Sequence, residues 1–189
     1  MRGFGILKSM KRGQNKNGFT IVELLIVIVV IGILAAITAV AFNGIQSKGR
    51  DAIRVGDAQS IVKALEIHKS YTGSYPVHTS VDGDWETSIE DGGAPAFLET
   101  LRGSGAITGN TPVDPANVST PMEYAYKYHR YNPGNSGCDA SRGSFYVLGV
   151  TQLDGVPGTG RPNPSSPGFS CSGRNWGLEF DWVTGSYEN

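Results

Sequence analysis

The 189-residue sequence lacks the residue patterns on which common enzymes and metal proteins depend. It has no Gly-x-Ser-x-Gly, no phosphate-binding Gly-x-x-x-x-Gly-Lys-Ser/Thr loop and no His-Glu-x-x-His. Its three histidines, His68, His78 and His129, are scattered along the chain. Its two cysteines form neither a Cys-x-x-Cys pair nor a Cys/His cluster, which argues against zinc. We therefore predict that the protein is not an enzyme and needs no metal or other cofactor.

Acidic residues are absent from the first 18 positions, and proline is absent from the first 75. Five of the 16 basic residues fall in the acid-free segment, whereas all 17 acidic residues follow it. Next comes Leu24–Phe42, a run without a charge that would be about 28 Å long as a helix, close to the ~30 Å hydrocarbon core of a bilayer. A basic segment before such a helix stays cytoplasmic, so we predict a single membrane helix followed by an exported domain. The acidic balance of that domain argues against general nucleic-acid binding.

Glu23 stands at the head of the apolar run, where a charge is costly; at a helix centre the cost is roughly 2.5–3.5 kcal/mol. Three interpretations fit. The first is a secretory signal peptide cut before Phe42, although the run exceeds the usual 7–15 residues. The second is a plain anchor with Glu23 at the interface. The third is a helix whose Glu23 meets a partner only in an assembly.

The string KNGFTIVELLIVIVVIGILAAI, residues 16–37, resembles the N-terminal signal of type IV prepilins. In that family a membrane peptidase cuts after a glycine, here Gly18, and N-methylates the new first residue, here Phe19. Glu23 then occupies the fifth position of the cut chain, where the family places a glutamate. The resemblance implies that residues 1–18 are a removed leader. It also implies that Glu23 of one subunit pairs with the Phe19 ammonium of its neighbour. This leader is long for the family, and a start at Met10 would fit the family better.

Beyond the apolar run, a three-and-four spacing of apolar residues predicts an amphipathic continuation of the helix. The predicted buried stripe consists of Ala52, Val55, Ala58, Val62 and Leu65. Charged residues, including Arg54, are expected on the other faces. We predict one helix from about Thr20 to Ser70, and the family's late proline, which would kink it, is missing here. Gly73 suits a left-handed cap, and Pro76 prevents continuation.

Three later segments read as strands, namely residues 122–131, 144–150 and 176–182. The first and third alternate between large apolar and smaller or polar residues, which indicates one covered face and one wet face. We therefore predict an α+β fold of the type IV pilin kind, in which a long N-terminal helix packs on an antiparallel sheet of three to four strands. Residues 19–42 would be the membrane and assembly helix, residues 43–75 its continuation and residues 76–189 the headgroup.

The remaining features of the headgroup have ordinary and functional interpretations. Residues 77–121 read as a loop region with one short helix that buries Phe97, Leu98 and Leu101. Asp82, Asp84 and Glu86 are spaced like calcium ligands but lack the rest of an EF-hand, so a solvated acidic loop is preferred. The tyrosines of residues 124–131 could stack bases or sugars, but a strand face explains them better. Asn117-Val118-Ser119 is a glycosylation sequon, a triplet that also arises by chance.

Cys138 and Cys171 both lie in the exported part, where two thiols usually pair, although two buried free cysteines would also fit the sequence. A disulfide between them would clamp the loop at residues 158–169, whose Pro and Gly content does not favour a core of its own. In pilins a similar disulfide holds a C-terminal loop against the sheet. The prediction is a disulfide-clamped C-terminal loop.

The resemblance implies a structural subunit of a type IV pilus-like filament that supports adhesion, twitching motility or DNA uptake. Its expected partners are other pilin subunits, the prepilin peptidase, the pilus assembly machinery and, before assembly, membrane lipid. Nucleic acid would be a partner only in a DNA-uptake pilus. The expected location is the cytoplasmic membrane before assembly and an extracellular pilus afterwards. Two alternatives stay open: a pseudopilin of a type II secretion system, and a monomeric anchored or secreted binding domain.

Overall fold

The structure is a computed structural model that describes residues 18–80, 84–89, 96–120, 123–155 and 169–189. The predicted leader, except Gly18, lies outside the described residues. So do Asp82 of the calcium alternative and all of the predicted clamped loop except Phe169. The chain divides into two units, residues 1–42 and 43–189.

Helix α1 spans Ile21–Thr72, which confirms the predicted long helix to within two residues at either end. Its window Ile21–Thr38 has a mean hydropathy of 3.0 and no buried residue, and by length and composition it could cross a membrane. The helix ends at Gly73, whose φ of +83° is left-handed and whose N–H donates to the Lys69 carbonyl at 2.8 Å. The predicted glycine cap is therefore confirmed.

The second unit contains a four-stranded antiparallel sheet in the order β1-β2-β3-β6. Its strands are β1 (Glu86–Thr87), β2 (Tyr126–Tyr131), β3 (Phe145–Val150) and β6 (Trp182–Tyr187). A small hairpin joins β4 (Ser170–Cys171) to β5 (Arg174–Asn175), and helix α2 spans Glu99–Gly103. The fold is α+β and pilin-like, as predicted. The two-residue β1 was missed because it is too short to show an alternation.

Three 3₁₀ turns span Asn135–Gly137, Ala140–Arg142 and Trp176–Leu178, and the last of these overturns the predicted third strand. There the Asn175 side chain accepts a hydrogen bond from the Gly177 N–H, which closes the turn at 3.0 Å. Leu178, predicted to point inward, is 85% exposed. The strand begins only at Trp182, so the apparent period of two in residues 176–182 was a coincidence of composition.

The helix-facing core forms between α1 and one face of the sheet. Ala58, Ile61 and Leu65 of α1 belong to the same buried cluster as Tyr126 and Tyr128 of β2. The predicted stripe is correct for Ala58 and Leu65, whereas Val55 and Val62 are only half-buried. Ala52 is exposed, so that part of the prediction is wrong. The buried face is centred on Ile61, and this rotation turns Ala52 outward.

The opposite face of the sheet is also covered, contrary to the prediction of a wet face. A second buried cluster contains Tyr131, Cys138, Phe145, Val147, Trp176, Phe180 and Val183. The turn and hairpin that follow β3 lie over this face, and the Trp176 indole donates to the Tyr131 hydroxyl at 3.3 Å. All six residues of β3 are consequently buried. The predicted disulfide between Cys138 and Cys171 is confirmed, and it belongs to this second layer.

Candidate functional site: the N-terminal segment and the headgroup network

The residues predicted to be cut and to assemble lie together at the start of α1. Phe19 is 87% exposed, and Gly18 is exposed as well. Among the described residues, a Cβ atom added to Gly18 would meet nothing within 4 Å. The bond between Gly18 and Phe19 therefore stands open on an accessible segment.

Glu23 forms a capping box with Thr20. Its Oε2 accepts hydrogen bonds from the Thr20 N–H at 2.8 Å and from the Thr20 hydroxyl at 2.7 Å. In return, the Glu23 N–H donates to Thr20 Oγ1 at 3.2 Å. The arrangement satisfies N–H groups that the first turn of any helix leaves without a partner. This role was not predicted, although a Thr followed three residues later by Glu is its usual signature.

The apolar half of α1 is exposed on all sides in the single chain. Leu24, Leu25, Ile26 and Val27 are each more than half exposed, and consecutive residues of a helix point in directions about 100° apart around its axis. A helix that is apolar all round belongs in lipid or among other helices. The segment therefore needs a surrounding that the described part of one chain does not supply.

In the second unit, Arg54 is the centre of a buried ionic network. Its side chain is wholly buried, and it binds Asp114 through Nε at 2.8 Å and through Nη2 at 3.3 Å. Nη1 donates to Asp51 and to Asp154, each at 2.9 Å. Arg50 also binds Asp154. The prediction that Arg54 lies on a solvated face is wrong, because these three carboxylates replace the water that its charge would lose.

The network connects α1 to two loops that are distant in sequence. Asp51 accepts hydrogen bonds from the backbone N–H groups of Asp154 and Gly155, each at 2.7 Å. Burial raises the pKa of Asp154, but hydrogen bonds from Arg50 and Arg54 outweigh it and hold that pKa below its ordinary value. The Arg54 guanidinium also lies 4.8 Å from the ring centre of Tyr124. The cluster is occupied by its own members, so its role is to hold the headgroup loops.

Several residues that could have bound a ligand instead make contacts within the headgroup. Glu86 accepts from the N–H groups of Thr79 and Leu98, at 3.1 and 2.6 Å, one with each carboxylate oxygen. The Asn117 amide bonds the Ser88 carbonyl and hydroxyl. Tyr126 and Tyr128 are completely buried and cannot stack on a ligand. Within the described ranges, no group of three or more His, Cys, Asp or Glu side chains could hold a metal ion.

A family model described as "Prokaryotic N-terminal methylation motif" matches residues 13–39. The match includes Gly18, Phe19, Glu23 and most of the exposed apolar helix. Together with the α+β headgroup, it places the chain in the class of type IV pilin-like proteins.

The curated relatives are more specific than the motif. The chain is 34% identical over 148 residues to the type II secretion system core protein G of Klebsiella michiganensis, covering 78% of this chain and 91% of the relative. The protein of the same name from Pectobacterium carotovorum is 28% identical over 162 residues, which cover 84% of this chain and 89% of the relative. The protein of that name from Escherichia coli K12 is 27% identical over 128 residues, which cover 68% of this chain and 80% of the relative. The chain therefore belongs to the family of type II secretion system core protein G, a pseudopilin family. No solved structure matches the chain significantly.

These relatives favour the pseudopilin alternative over the pilus subunit that was the first expectation. The coarser prediction, a type IV pilin-like protein with a methylation motif, is confirmed.

Proposed function

We propose that the chain is a pseudopilin, a structural subunit of a type II secretion filament rather than an enzyme. The observation that carries the proposal is the pairing of the methylation motif at residues 13–39 with a relative matched over 91% of its length. The exposed apolar half of α1 supports it, because such a helix needs lipid before assembly and other helices afterwards. The proposed partners are further subunits, the prepilin peptidase and the assembly machinery.

The proposed processing step is hydrolysis of the Gly18–Phe19 peptide bond, followed by N-methylation of Phe19. Because the cut precedes the apolar run, α1 stays attached to the headgroup and the product remains in the membrane. Since no atom of the described residues would meet a Cβ atom at position 18, a requirement for glycine there would come from the peptidase. Cleavage also creates an ammonium group at Phe19, four residues before Glu23.

The proposed assembly contact joins Glu23 of one subunit to the Phe19 ammonium of a neighbour. Before cleavage the Glu23 carboxylate is satisfied by Thr20, which lowers the cost of holding it at the membrane surface. In a filament core, an unpaired carboxylate would be costly and a paired one would fix the axial register of otherwise slippery apolar helices. The pair would thus determine the axial register of neighbouring subunits more than the strength of their association.

The test of processing is the mass and N-terminus of the protein recovered from membranes that contain a prepilin peptidase. We expect a mature chain that begins with N-methylated Phe19. Gly18→Val should leave the precursor uncut, whereas the matched change Gly13→Val within the leader should be processed normally. A chain that begins at Phe42 would instead identify the helix as a secretory signal peptide and refute the proposal.

The test of assembly uses two substitutions at Glu23. Glu23→Gln keeps a side chain that can serve in the capping box but removes the charge, whereas Glu23→Ala removes both. Both variants should insert in the membrane, and neither should give filaments in sheared fractions or cross-linked oligomers. Normal assembly of Glu23→Gln would show that the capping box, and not the charge, is what the filament needs.

A pilus subunit is the second candidate, and the Cys138–Cys171 disulfide favours it, because pilins use such a bond to hold a C-terminal loop. Deletion of the gene in the native organism separates the two. A pseudopilin deletion should stop release of type II substrates into the medium and leave twitching motility intact. Loss of twitching with normal secretion would select the pilus subunit.

A further inference from the structure

The two sulfur atoms of the Cys138–Cys171 disulfide lie in different surroundings. Cys138 is 7% exposed and belongs to the buried cluster on the second face of the sheet. Cys171 is half-buried and only packs against that cluster. It ends the two-residue strand β4, and Ser170 and Ser172 on either side of it are exposed. Cys171 is therefore the cysteine that a second molecule can approach more easily.

The two turns that carry the cysteines also meet through contacts that involve no sulfur. The Gly173 N–H donates to the Ser136 carbonyl at 2.8 Å, and the Ser172 hydroxyl donates to the Gly137 carbonyl at 3.0 Å. The approach is so close that a Cβ atom at position 173 would lie 2.7 Å from the Ser136 carbonyl oxygen. Because these bonds do not depend on the disulfide, we expect them to hold the two thiols side by side in the folded, reduced chain.

A hydroxyl group and a cation lie on the Cys171 side of the disulfide. The Tyr187 hydroxyl oxygen is 3.6 Å from Cys171 Sγ, and because a disulfide sulfur carries no proton, the hydroxyl is the donor in this contact. The Arg142 guanidinium lies 3.9 Å from the centre of the Tyr187 ring. A hydrogen-bond donor and a nearby positive charge both stabilise a thiolate. The surroundings of Cys171 therefore favour the reactive form of its thiol.

The residue that follows Cys138 carries a charge of the opposite sign. The Asp139 carboxylate accepts hydrogen bonds from the Ser141 hydroxyl at 2.7 Å and from the Ser141 N–H at 2.9 Å. These bonds hold the pKa of Asp139 below its ordinary value, so the carboxylate is charged at neutral pH. A negative charge close to a thiol disfavours the thiolate, although water weakens this effect because Asp139 is exposed. The burial of Cys138 acts in the same direction.

We propose that Cys171 is the entry thiol of the headgroup disulfide and that Cys138 is the resolving thiol. In the first step, the Cys171 thiolate attacks one sulfur of an oxidant that itself carries a disulfide. A bond forms between Cys171 and that sulfur, and the second oxidant sulfur leaves as a thiolate. In the second step, the Cys138 thiolate attacks Cys171 Sγ, and the first oxidant sulfur leaves. The two cysteines lose two electrons and two protons, which the oxidant gains as it becomes two thiols. The inference does not depend on the proposed function.

The docking of the turns brings the second step within reach. The Cα atoms of the two cysteines are 4.9 Å apart, so a mixed disulfide on Cys171 has its resolving thiol beside it. An attack that began at Cys138 would require the oxidant to enter the buried cluster that also contains Phe145 and Trp176. The order of the two cysteines is therefore a property of the folded headgroup.

The direct test is alkylation of the reduced, wild-type full chain in detergent micelles by a limiting amount of iodoacetamide, followed by peptide mass spectrometry. We expect Cys171 to be modified at least tenfold faster than Cys138. In denaturing urea the two rates should lie within threefold of each other, because the fold no longer distinguishes them. Equal rates in native buffer, or faster modification of Cys138, would overturn the proposal. A tenfold preference that persisted in urea would overturn it as well, since its cause would then be the local sequence.

Single-thiol variants test the covalent step, with glutathione disulfide as the probe. Cys138→Ser, which keeps Cys171, should form a mixed disulfide at least tenfold faster than Cys171→Ser, which keeps Cys138. Equal rates would overturn the proposed order. In membranes of cells that express Cys138→Ser, the mass of the adduct distinguishes a protein oxidant from a small disulfide, and either adduct on Cys171 supports the proposal. An adduct that accumulates only on Cys171→Ser would overturn it.

Replacement of Tyr187 by phenylalanine tests the electrostatic part of the proposal. Tyr187→Phe keeps the ring but removes the donor to Cys171, so alkylation of Cys171 at neutral pH should slow at least threefold and its pH profile should shift to higher pH. Tyr71→Phe is the matched control, because Tyr71 is 73% exposed at the end of α1, and its profile should match that of the wild type. An unshifted profile in Tyr187→Phe would refute the role assigned to the hydroxyl.

Discussion

Replacement of Arg54 by methionine should cause one of the larger losses of stability that a single substitution can produce in the headgroup. The change keeps much of the apolar volume but leaves Asp114, whose side chain is wholly buried, without its cation. It also removes a partner from Asp51 and Asp154, which are 15% and 13% exposed. Removal of one member of a buried ion pair typically costs about 3–5 kcal/mol.

The lower part of that range is the better expectation for Arg54→Met. Asp114 retains hydrogen bonds from the backbone N–H groups of Ala116 at 2.8 Å and Asn117 at 3.4 Å, so its carboxylate is still partly stabilised. We expect a loss of about 3–4 kcal/mol in the free energy of unfolding. For a unit of this size, the corresponding fall in Tm is about 6–16 °C. Urea unfolding followed by tryptophan fluorescence measures the loss in the free energy of unfolding, because all three tryptophans belong to residues 43–189.

Two further variants make the Arg54 experiment decisive. Arg102→Met removes an ion pair with Glu99 in which both side chains are about half exposed, and it should cost at most about 1 kcal/mol. The double variant Arg54→Met with Asp114→Leu removes the stranded charge and should recover most of the lost stability. A loss below 1 kcal/mol for Arg54→Met alone would refute the reasoning, since it would mean that Asp114 is satisfied without Arg54.

Two other predictions concern backbone and covalent constraints. Gly149→Ala should destabilise the headgroup by about 1–3 kcal/mol, because the new Cβ would lie 2.4 Å from the Phe180 ring. The matched change Gly56→Ala, where a Cβ meets nothing within 4 Å, should instead stabilise α1 by up to about 1 kcal/mol, and urea midpoints distinguish the two signs. Replacement of Cys138 and Cys171 by alanine opens a ring with a sequence separation of 33 and should cost about 3–4 kcal/mol. Dithiothreitol should then leave the Tm of that variant unchanged while lowering the Tm of the wild type.

Local patterns in the sequence predicted the elements whose structure depends on local interactions. The three-and-four spacing of apolar residues predicted the amphipathic part of α1, and Gly73, shortly before Pro76, predicted where the helix ends. Alternation placed β2, and a compact apolar run placed β3. The methylation motif of the N-terminal segment was also predictable, because its characteristic residues lie close together in the sequence. The capping box at Thr20 and Glu23 was visible there but was overlooked.

Features that depend on distant partners could not be predicted in this way. Arg54 reads as a surface residue until Asp114, 60 positions later, and Asp154, 100 positions later, are brought to it by the fold. The covered second face of the sheet has the same origin, because its layer comes from turns whose position depends on chain closure. The alternation at residues 176–182 gave a wrong prediction, since Trp176 and Phe180 are buried but lie in and just after a turn, not in a strand.

The exposed apolar half of α1 restricts how a chain of this kind can be stored and delivered. Each apolar side chain there would lose about 1.5–3 kcal/mol on transfer from lipid to water, so the whole run would lose on the order of tens of kcal/mol. In water the run would therefore need a cover, from lipid or from other helices. In the filament proposed above, a subunit would leave the bilayer and enter its next surrounding in one coupled movement, so growth would proceed at the membrane and the lipid itself would serve as the reservoir.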